Sequence, residues 1–248
     1  MEVNKIYNED CIKGMERIGD KSIDFILTDL PYGVTDCEWD NIIPFPSLWE
    51  QYNRIIKDNG AVVLFSIQPF TTKLINSNLK HFKYCWYWKK NNKTGFAFAK
   101  FQPMRCIEDI CVFYNKAPTY NPQGLKAIEN PKVKQHKDSG KDSVYKWRTL
   151  TKAHAQKFTN YPVHVLEFKN EAANNKERLH PTQKPLALCE YLIKTYTNAG
   201  DVVLDSCAGS GTTLLAAKNT GRNYIGFETD VNYYNIACQR LKRDNTQL

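Results

Sequence analysis

Val202-Val203-Leu204-Asp205-Ser206-Cys207-Ala208-Gly209-Ser210-Gly211-Thr212-Thr213 is the stretch on which the fold turns. A short β-branched run ends in an acid, a turn with two glycines follows, and Leu214-Leu215-Ala216-Ala217-Lys218 then reads as helix. Gly209 and Gly211 permit a tight turn and close approach of the backbone to a ligand. The spacing is not that of the pyrophosphate fingerprint G-x-G-x-x-G, because position 214 is Leu. A glycine turn between strand and helix reads as readily as a purely structural feature. The next apolar run, Tyr224-Ile225-Gly226-Phe227, leads into Glu228-Thr229-Asp230. In nucleotide-binding α/β folds an acid at that place accepts hydrogen bonds from ribose hydroxyls. Turn and acid together point to an adenosine-containing cofactor.

Working outward, short apolar runs alternate with amphipathic stretches. Residues 23–27, 61–65, 85–88, 110–114 and 163–166 are rich in β-branched and aromatic side chains, as are 202–204 and 224–227. Their near-continuous apolar character suits central strands of a mostly parallel sheet. Leu48, Tyr52, Ile55 and Ile56 recur at helical spacing, with Asn59-Gly60 as a stop. Leu186, Cys189, Leu192 and Ile193 repeat that spacing up to Asn198-Ala199-Gly200, and 231–241 reads as a terminal helix with Asp230 as its N-cap. Alternation of this kind predicts a doubly wound α/β sheet. Residues 169–178 (KNEAANNKER) are polar and coreless, and read as a loop.

The chain has 248 residues, enough to bury a core without cross-links, and a formal charge of +8. No apolar run reaches the ~18–20 residues of a membrane span, and the first five residues lack the apolar segment of a secretory signal. The expected location is the cytoplasm. Eight cysteines (11, 37, 85, 106, 111, 189, 207 and 238) are scattered without a C-x-x-C pair. They read as buried reduced thiols rather than metal ligands or disulfides.

The charge is unevenly placed. Between Lys116 and Lys157 stand ten bases against three acids, a net +7, with Tyr120, Tyr145, Trp147, His136 and His154 among few aliphatic residues. One reading is a solvated lysine-rich loop. The other is a phosphate-facing surface, since clustered Lys and Arg neutralise a polyanion and release its counterions.

A second site follows the first long apolar run, in Thr28-Asp29-Leu30-Pro31-Tyr32-Gly33. The set suits a planar amine. Asp29 and the Leu30 carbonyl can each accept an amino hydrogen, Pro31 fixes the backbone, and Tyr32 offers a ring for a heterocycle to stack on. An ordinary strand-ending turn is the competing reading. A third element, His180-Pro181-Thr182-Gln183-Lys184-Pro185, precedes the helix that leads to the glycine loop. Thr182 and Lys184 could hold a carboxylate there, such as that of a methionine moiety.

Together these residues resemble the amino-methylating DNA methyltransferases that use S-adenosylmethionine, in the β-class order with the catalytic half first. The family's Asp-Pro-Pro-Tyr tetrapeptide matches Asp29-Leu30-Pro31-Tyr32, its H-P-T-x-K-P element matches residues 180–185, and its cofactor loop matches Asp205 through Gly211. The resemblance covers most of the chain. It implies a Rossmann-like domain in two parts, 1–115 carrying catalysis and 161–248 binding cofactor, with residues 116–160 as a basic target-recognition insertion. Leu30 replaces the first proline of the usual tetrapeptide but keeps the backbone carbonyl through which that position acts.

The resemblance also assigns roles. Asp29, Leu30, Pro31 and Tyr32 would be catalytic. S-adenosylmethionine would be held by Asp10, Thr182, Lys184, Asp205, Cys207, Gly209, Gly211, Thr212, Thr213 and Glu228; Asp10 reads equally as a plain surface acid. The expected reaction is methylation of adenine N6 in double-stranded DNA after the base is flipped out of the stack. Asp at position 29 resembles the adenine enzymes, whereas cytosine-N4 enzymes more often carry Ser. Cytosine N4, RNA, a protein glutamine and an inactive DNA-binding relative are the alternatives. A homodimer is allowed by the resemblance, although no sequence feature marks an interface.

Overall fold

The computed structural model describes residues 1–33, 41–131, 133–134, 154–170 and 183–242. Its contacts divide the chain into a large unit, residues 1–121 with 164–248, and a small one, Pro122–Val163.

In chain order the large unit contains β1 (Lys5–Tyr7), α1 (Cys11–Glu16), β2 (Ile23–Asp29), α2 (Phe45–Ile55), β3 (Ile56–Ser66), α3 (Phe70–Ser77), β4 (Phe82–Thr94) and β5 (Arg105–Phe113). The small unit contributes four two-residue strands: β6 (Lys126–Ala127), β7 (Val133–Lys134), β8 (His154–Ala155) and β9 (Phe158–Thr159). The large unit resumes with β10 (Val165–Glu167), α4 (Leu186–Tyr196), β11 (Val202–Asp205), α5 (Thr212–Asn219), β12 (Asn223–Phe227) and α6 (Val231–Lys242).

Eight strands form one sheet in the order β1-β12-β11-β2-β3-β5-β4-β10. Every neighbouring pair is parallel except the two that involve β5, which runs against both β3 and β4. This is the doubly wound, mostly parallel sheet expected from the alternation of runs. The central stretches of β2, β3 and β11 are almost continuously buried because both faces are covered. Along β2, Phe25 and Leu27 join one core with Leu188, Leu192, Tyr196 and Leu214, while Ile26 points to the other with Met15, Leu48, Tyr52 and Phe227.

Some local expectations fail for identifiable reasons. Asn59-Gly60 does not stop α2. That helix ends at Ile55, and Ile56 turns extended to pair with Ile23. The register then jumps from Ile23↔Ile56 to Phe25↔Ala61, so residues 57–60 bulge inside β3, held by Lys57 Nζ bonding Asp24 Oδ1 at 2.6 Å. The terminal helix does begin as expected: Asp230 Oδ1 accepts from the amides of Asn232 and Tyr233 at 2.7 and 3.1 Å. The 169–178 loop lies mostly outside the described residues.

In the small unit, β6 pairs antiparallel with β9 and β7 with β8, two separate two-rung ladders. The Asn160 side-chain amide closes the first by donating to the Gly124 carbonyl at 2.7 Å. Lys116 and Tyr120, read with the basic stretch, belong to the large unit. There Lys116 pairs with Asp58 at 2.8 Å and Tyr120 meets the Tyr196 ring edge-on. Residues 135–153, with most of the remaining bases, lie outside the described residues.

Close packing at the start of the chain is testable. A Cβ on Gly14 would stand 2.2 Å from the fully buried Phe227 ring. Alanine favours an open helix position by about 1 kcal/mol over glycine. Gly14→Ala should nevertheless destabilise the fold by roughly 1–3 kcal/mol, the usual cost of overpacking, read as a lower urea midpoint. An unchanged or raised midpoint would show that α1 does not sit against β12 as described.

Candidate functional site

In an open α/β sheet, ligands sit beyond the carboxyl ends of the parallel strands. Three such ends carry the singled-out residues here: β2 ends at Asp29, β11 at Asp205 and β12 at Phe227, just before Glu228. β2 and β11 are adjacent, with Leu204 opposite Ile26, and β12 follows β11. Below the rim, buried Thr28 Oγ1 accepts from the Ser206 amide at 3.1 Å, and the Tyr52 and Ser206 hydroxyls lie 2.6 Å apart. The two loops are therefore stapled together through groups fully withdrawn from water.

Asp29 is engaged through both oxygens. The Tyr32 hydroxyl donates to Oδ1 at 2.5 Å, and the Lys184 ammonium pairs with Oδ2. Lys184 Nζ also lies 3.7 Å from Glu108 Oε2, and Lys90 Nζ pairs with Glu108 Oε1 at 2.9 Å. Two ammonium groups and two carboxylates thus form a quartet of zero net charge, buried except for the partly exposed Asp29. Burial alone would push the Lys184 ammonium down, but Asp29 and Glu108 outweigh it and hold it above its ordinary range. Burial likewise works to raise Glu108, yet Lys184 and Lys90 hold it below the usual carboxylate value. Burial, then the Asp29 charge, push the Tyr32 phenol well up, so it stays a donor.

Lys184, which the resemblance assigns to the cofactor, has its charge balanced here by Asp29 and Glu108, as the cost of burying an unpaired ammonium demands. Thr182, its expected partner, and His180 lie outside the described residues. Glu108 and Lys90 were not singled out at all. Both stand next to other polar residues, Lys89 and Asn91 in one strand and Asp109 in the other, and only the cross-strand register makes them partners of the site. Glu108 Oε2 accepts no hydrogen bond among the described residues and is sealed from solvent. Leu30 is buried among α2 and α3 side chains, so it anchors the loop that the missing proline ring would have stiffened. The Tyr32 ring rests against Phe70, centroids 5.0 Å apart.

The glycine loop divides the remaining candidates. Glu228 caps it: Oε2 accepts from the Gly209 amide at 2.7 Å and Oε1 from the Asp230 amide at 2.8 Å. Asn8 ties β1 to the same corner through the carbonyls of Glu228 and Thr229, which brings Asp10 to this rim. Asp10 is exposed and caps α1 through the Lys13 amide. Gly211, at φ 79°, packs closely on α6; a Cβ there would meet Ala237 at 2.9 Å. Thr212 is likewise turned to Arg240, which bonds its hydroxyl at 3.1 Å. Cys207 contributes its amide to Asp205 Oδ1 at 3.1 Å, while its thiol neighbours Cys11. Asp205 is buried, and burial raises its carboxyl to about 7 against the opposing pull of the Cys207 amide and the Thr213 and Thr28 hydroxyls.

A parallel α/β sheet with a glycine turn, a capping carboxylate on the next strand and a buried acid at the switch point defines an enzyme built around a nucleotide-like cofactor. The chain belongs to the DNA methylase family of N6 and N4 methyltransferases, whose profile matches residues 23–239. It is 25% identical to the type II methyltransferase M1.MboII of Moraxella bovis, over 96% of each chain. Among solved structures it resembles M1.HpyAVI in complex with SAM, at 25% identity and a TM-score of 0.62 over 95% of this chain and 98% of that one. The cytosine-N4-specific PvuII DNA methyltransferase shares the fold, with a TM-score of 0.70 at 18% identity over 99% of this chain and 88% of that one.

Removing one carboxylate from the quartet should be costly. Glu108→Gln is expected to destabilise the protein by on the order of 3 kcal/mol at neutral pH, measured by urea unfolding. Because the folded value is depressed from 4.5, the stabilisation is present above that pH and is lost as pH falls below it. The cost of Glu108→Gln should shrink accordingly. A pH-independent cost would show that the charge of Glu108 is not what holds Lys184.

Proposed function

We propose that this chain transfers a methyl group from S-adenosylmethionine to adenine N6 at a specific sequence in double-stranded DNA. The observation that carries the reading is Asp29: a carboxylate paired with a buried lysine and bonded by a tyrosine, one strand away from the glycine loop. An ionised carboxylate can accept about four hydrogen bonds. Asp29 is bonded to Tyr32 and Lys184 and retains capacity for one amino hydrogen of a base, with the Leu30 carbonyl taking the other. Lys184 supplies the counter-charge on the Oδ2 side of Asp29. The carboxylate then orients the amine and draws its lone pair toward the methyl group without removing a proton first. Tyr32 would stack on the extruded base, and much of the acceleration would come from positioning.

The residues present fit the cofactor. When bound, S-adenosylmethionine supplies a methyl group made electrophilic by its sulfonium. Asp205 is a buried acid whose neighbours are hydroxyls and an amide; the ammonium of a methionine moiety would give it a counter-charge. The Glu228 oxygens have lone pairs left for ribose hydroxyls beyond the two amides they accept from. Asp10, at the same rim, is assigned to the adenine edge, and the Gly209 turn to close approach of the backbone. The type II relatives support action at a defined sequence, and the basic insertion is assigned to reading it. The relatives also leave room for cytosine N4, and the residue type at position 29 is what favours adenine.

Incubation with labelled S-adenosylmethionine and unmethylated duplex DNA should give N6-methyladenine on nucleoside analysis. N4-methylcytosine would overturn the choice of base, and the absence of any product would overturn the activity. Asp29→Ala should abolish transfer while cofactor affinity stays within about twofold; an active variant would sink the role of Asp29.

Cofactor affinity should also depend on pH. With Asp205 near 7, a bound ammonium favours the ionised acid, so binding releases a proton and tightens as pH rises. Linkage gives about a tenfold gain from pH 6 to 8, readable by calorimetry in buffers of different ionisation enthalpy. A flat profile would remove Asp205 from contact with the cofactor's charge.

A further inference from the structure

The hairpin of β4 and β5 carries a feature that the quartet does not use. β4 is parallel to β10, and β5 runs against both β4 and β3. Since β3 is parallel to β2, β4 runs in the same direction as β2. The connection from Thr94 to Arg105 therefore emerges at the same edge of the sheet as Asp29. At its base, Lys90 and Glu108 belong to the catalytic cluster. Its tip lies three to four residues further along each strand, roughly 10–14 Å at strand rise.

That tip exposes three phenylalanines: Phe96 is 81% exposed, Phe98 57% and Phe101 86%. Single exposed apolar residues need no explanation, but clusters of large ones mark interaction sites. Residues 89–107 also hold five cations and no acid. Lys89 is paired with Glu167 and Lys90 with Glu108. Lys93, Lys100 and Arg105 make no ion pair among the described residues.

Aromatic rings interleaved with unpaired cations match one partner chemistry: nucleic acid with some bases unstacked. Bases stack on aromatic rings with little sequence preference while cations track the phosphates. A second copy of this chain would bring a like-charged tip against this one. We propose that the β4–β5 tip is a DNA-contacting element separate from the basic insertion. In it Phe96, Phe98 and Phe101 hold open the stack beside the target base, and Lys93, Lys100 and Arg105 bind the flanking phosphates. The inference rests on the proposed activity. It adds a means of stabilising the opened duplex at the mouth of the Asp29 pocket, a cost that extrusion of a paired base must meet.

The test compares wild type with F96A/F98A/F101A and with K93A/K100A/R105A. All six side chains belong to the tip and none to the quartet. The recognised site is first read by sequencing plasmid DNA methylated by the wild-type protein. The phenylalanine variant should methylate matched duplex at least tenfold more slowly. It should recover to within about threefold of wild type when the target base is mismatched and already loosened. The cation variant should weaken duplex binding and lower the slope of log affinity against log salt by up to about three. Equal rates for the phenylalanine variant and wild type on matched duplex would overturn the wedge. So would an equal loss on matched and mismatched DNA, or a wild-type dimer that the variant converts to monomer with its DNA affinity unchanged. An unaltered salt slope would overturn the phosphate contacts. A wild-type protein that methylates no DNA would instead sink the proposed activity itself, a result distinct from an active wild type matched by an active variant.

Discussion

The ammonium of Lys184 is the charge around which the site is organised. It is almost wholly withdrawn from water, and an isolated ammonium in that position would cost several kcal/mol. Two carboxylates offset this, Asp29 from the end of β2 and Glu108 from β5, and Lys90 of β4 balances the second carboxylate. The quartet pins three parts of the chain that are far apart in sequence: the catalytic loop, the hairpin and the segment leading into α4. A buried neutral cluster with one member removed is worse than none. Changes at Glu108 should therefore reach Asp29 through Lys184 rather than through any direct contact.

The sheet decides where that cluster can lie. Parallel strands place their carboxyl ends along one edge, so the loops after β2, β11 and β12 converge without long connections. The reversal of β5 has a second effect. It lets β4 and β5 form a hairpin whose closed end projects from this same edge, rather than a crossover that would need another helix. The rim that carries Asp29 thus gains an arm at one side, with its base in the charge cluster and its aromatic tip in solvent.

Most of the scaffold was legible because it is written in local runs. Strands buried on both faces appear as continuous apolar stretches, and the glycine turn, Asp29 and Glu228 each sit where such a stretch ends. The quartet was not legible in the same way. Lys90 stands in the polar run Lys89-Lys90-Asn91-Asn92 and Glu108 beside Asp109, a composition that also describes a solvated strand end. Only the pairing of Trp88 with Glu108 and of Lys89 with Ile107 brings them to the catalytic loop. Lys184 was visible as a cation near two ligand sites, but sequence cannot weigh two carboxylates contributed by distant strands. Asn59-Gly60 misled for a related reason: a turn dipeptide inside a bulge looks the same as one after a helix.

Asp29 and Asp205 show how one rim can treat two carboxyl groups differently. Asp29 has a lysine as counter-charge; the neighbours of Asp205 are hydroxyls and an amide, and burial carries it to about 7. An acid left without a cation inside a protein is costly whenever it ionises, and that cost is recovered only when a ligand brings the charge. Asp29, with its counter-charge in place, would suit a neutral amine, which needs an acceptor and no charge. Asp205 accepts hydrogen bonds but has no ion pair among the described residues, and under the proposed function it would meet the ligand's ammonium. The contrast between the two acids follows from where the described cations stand, with Lys184 paired to Asp29.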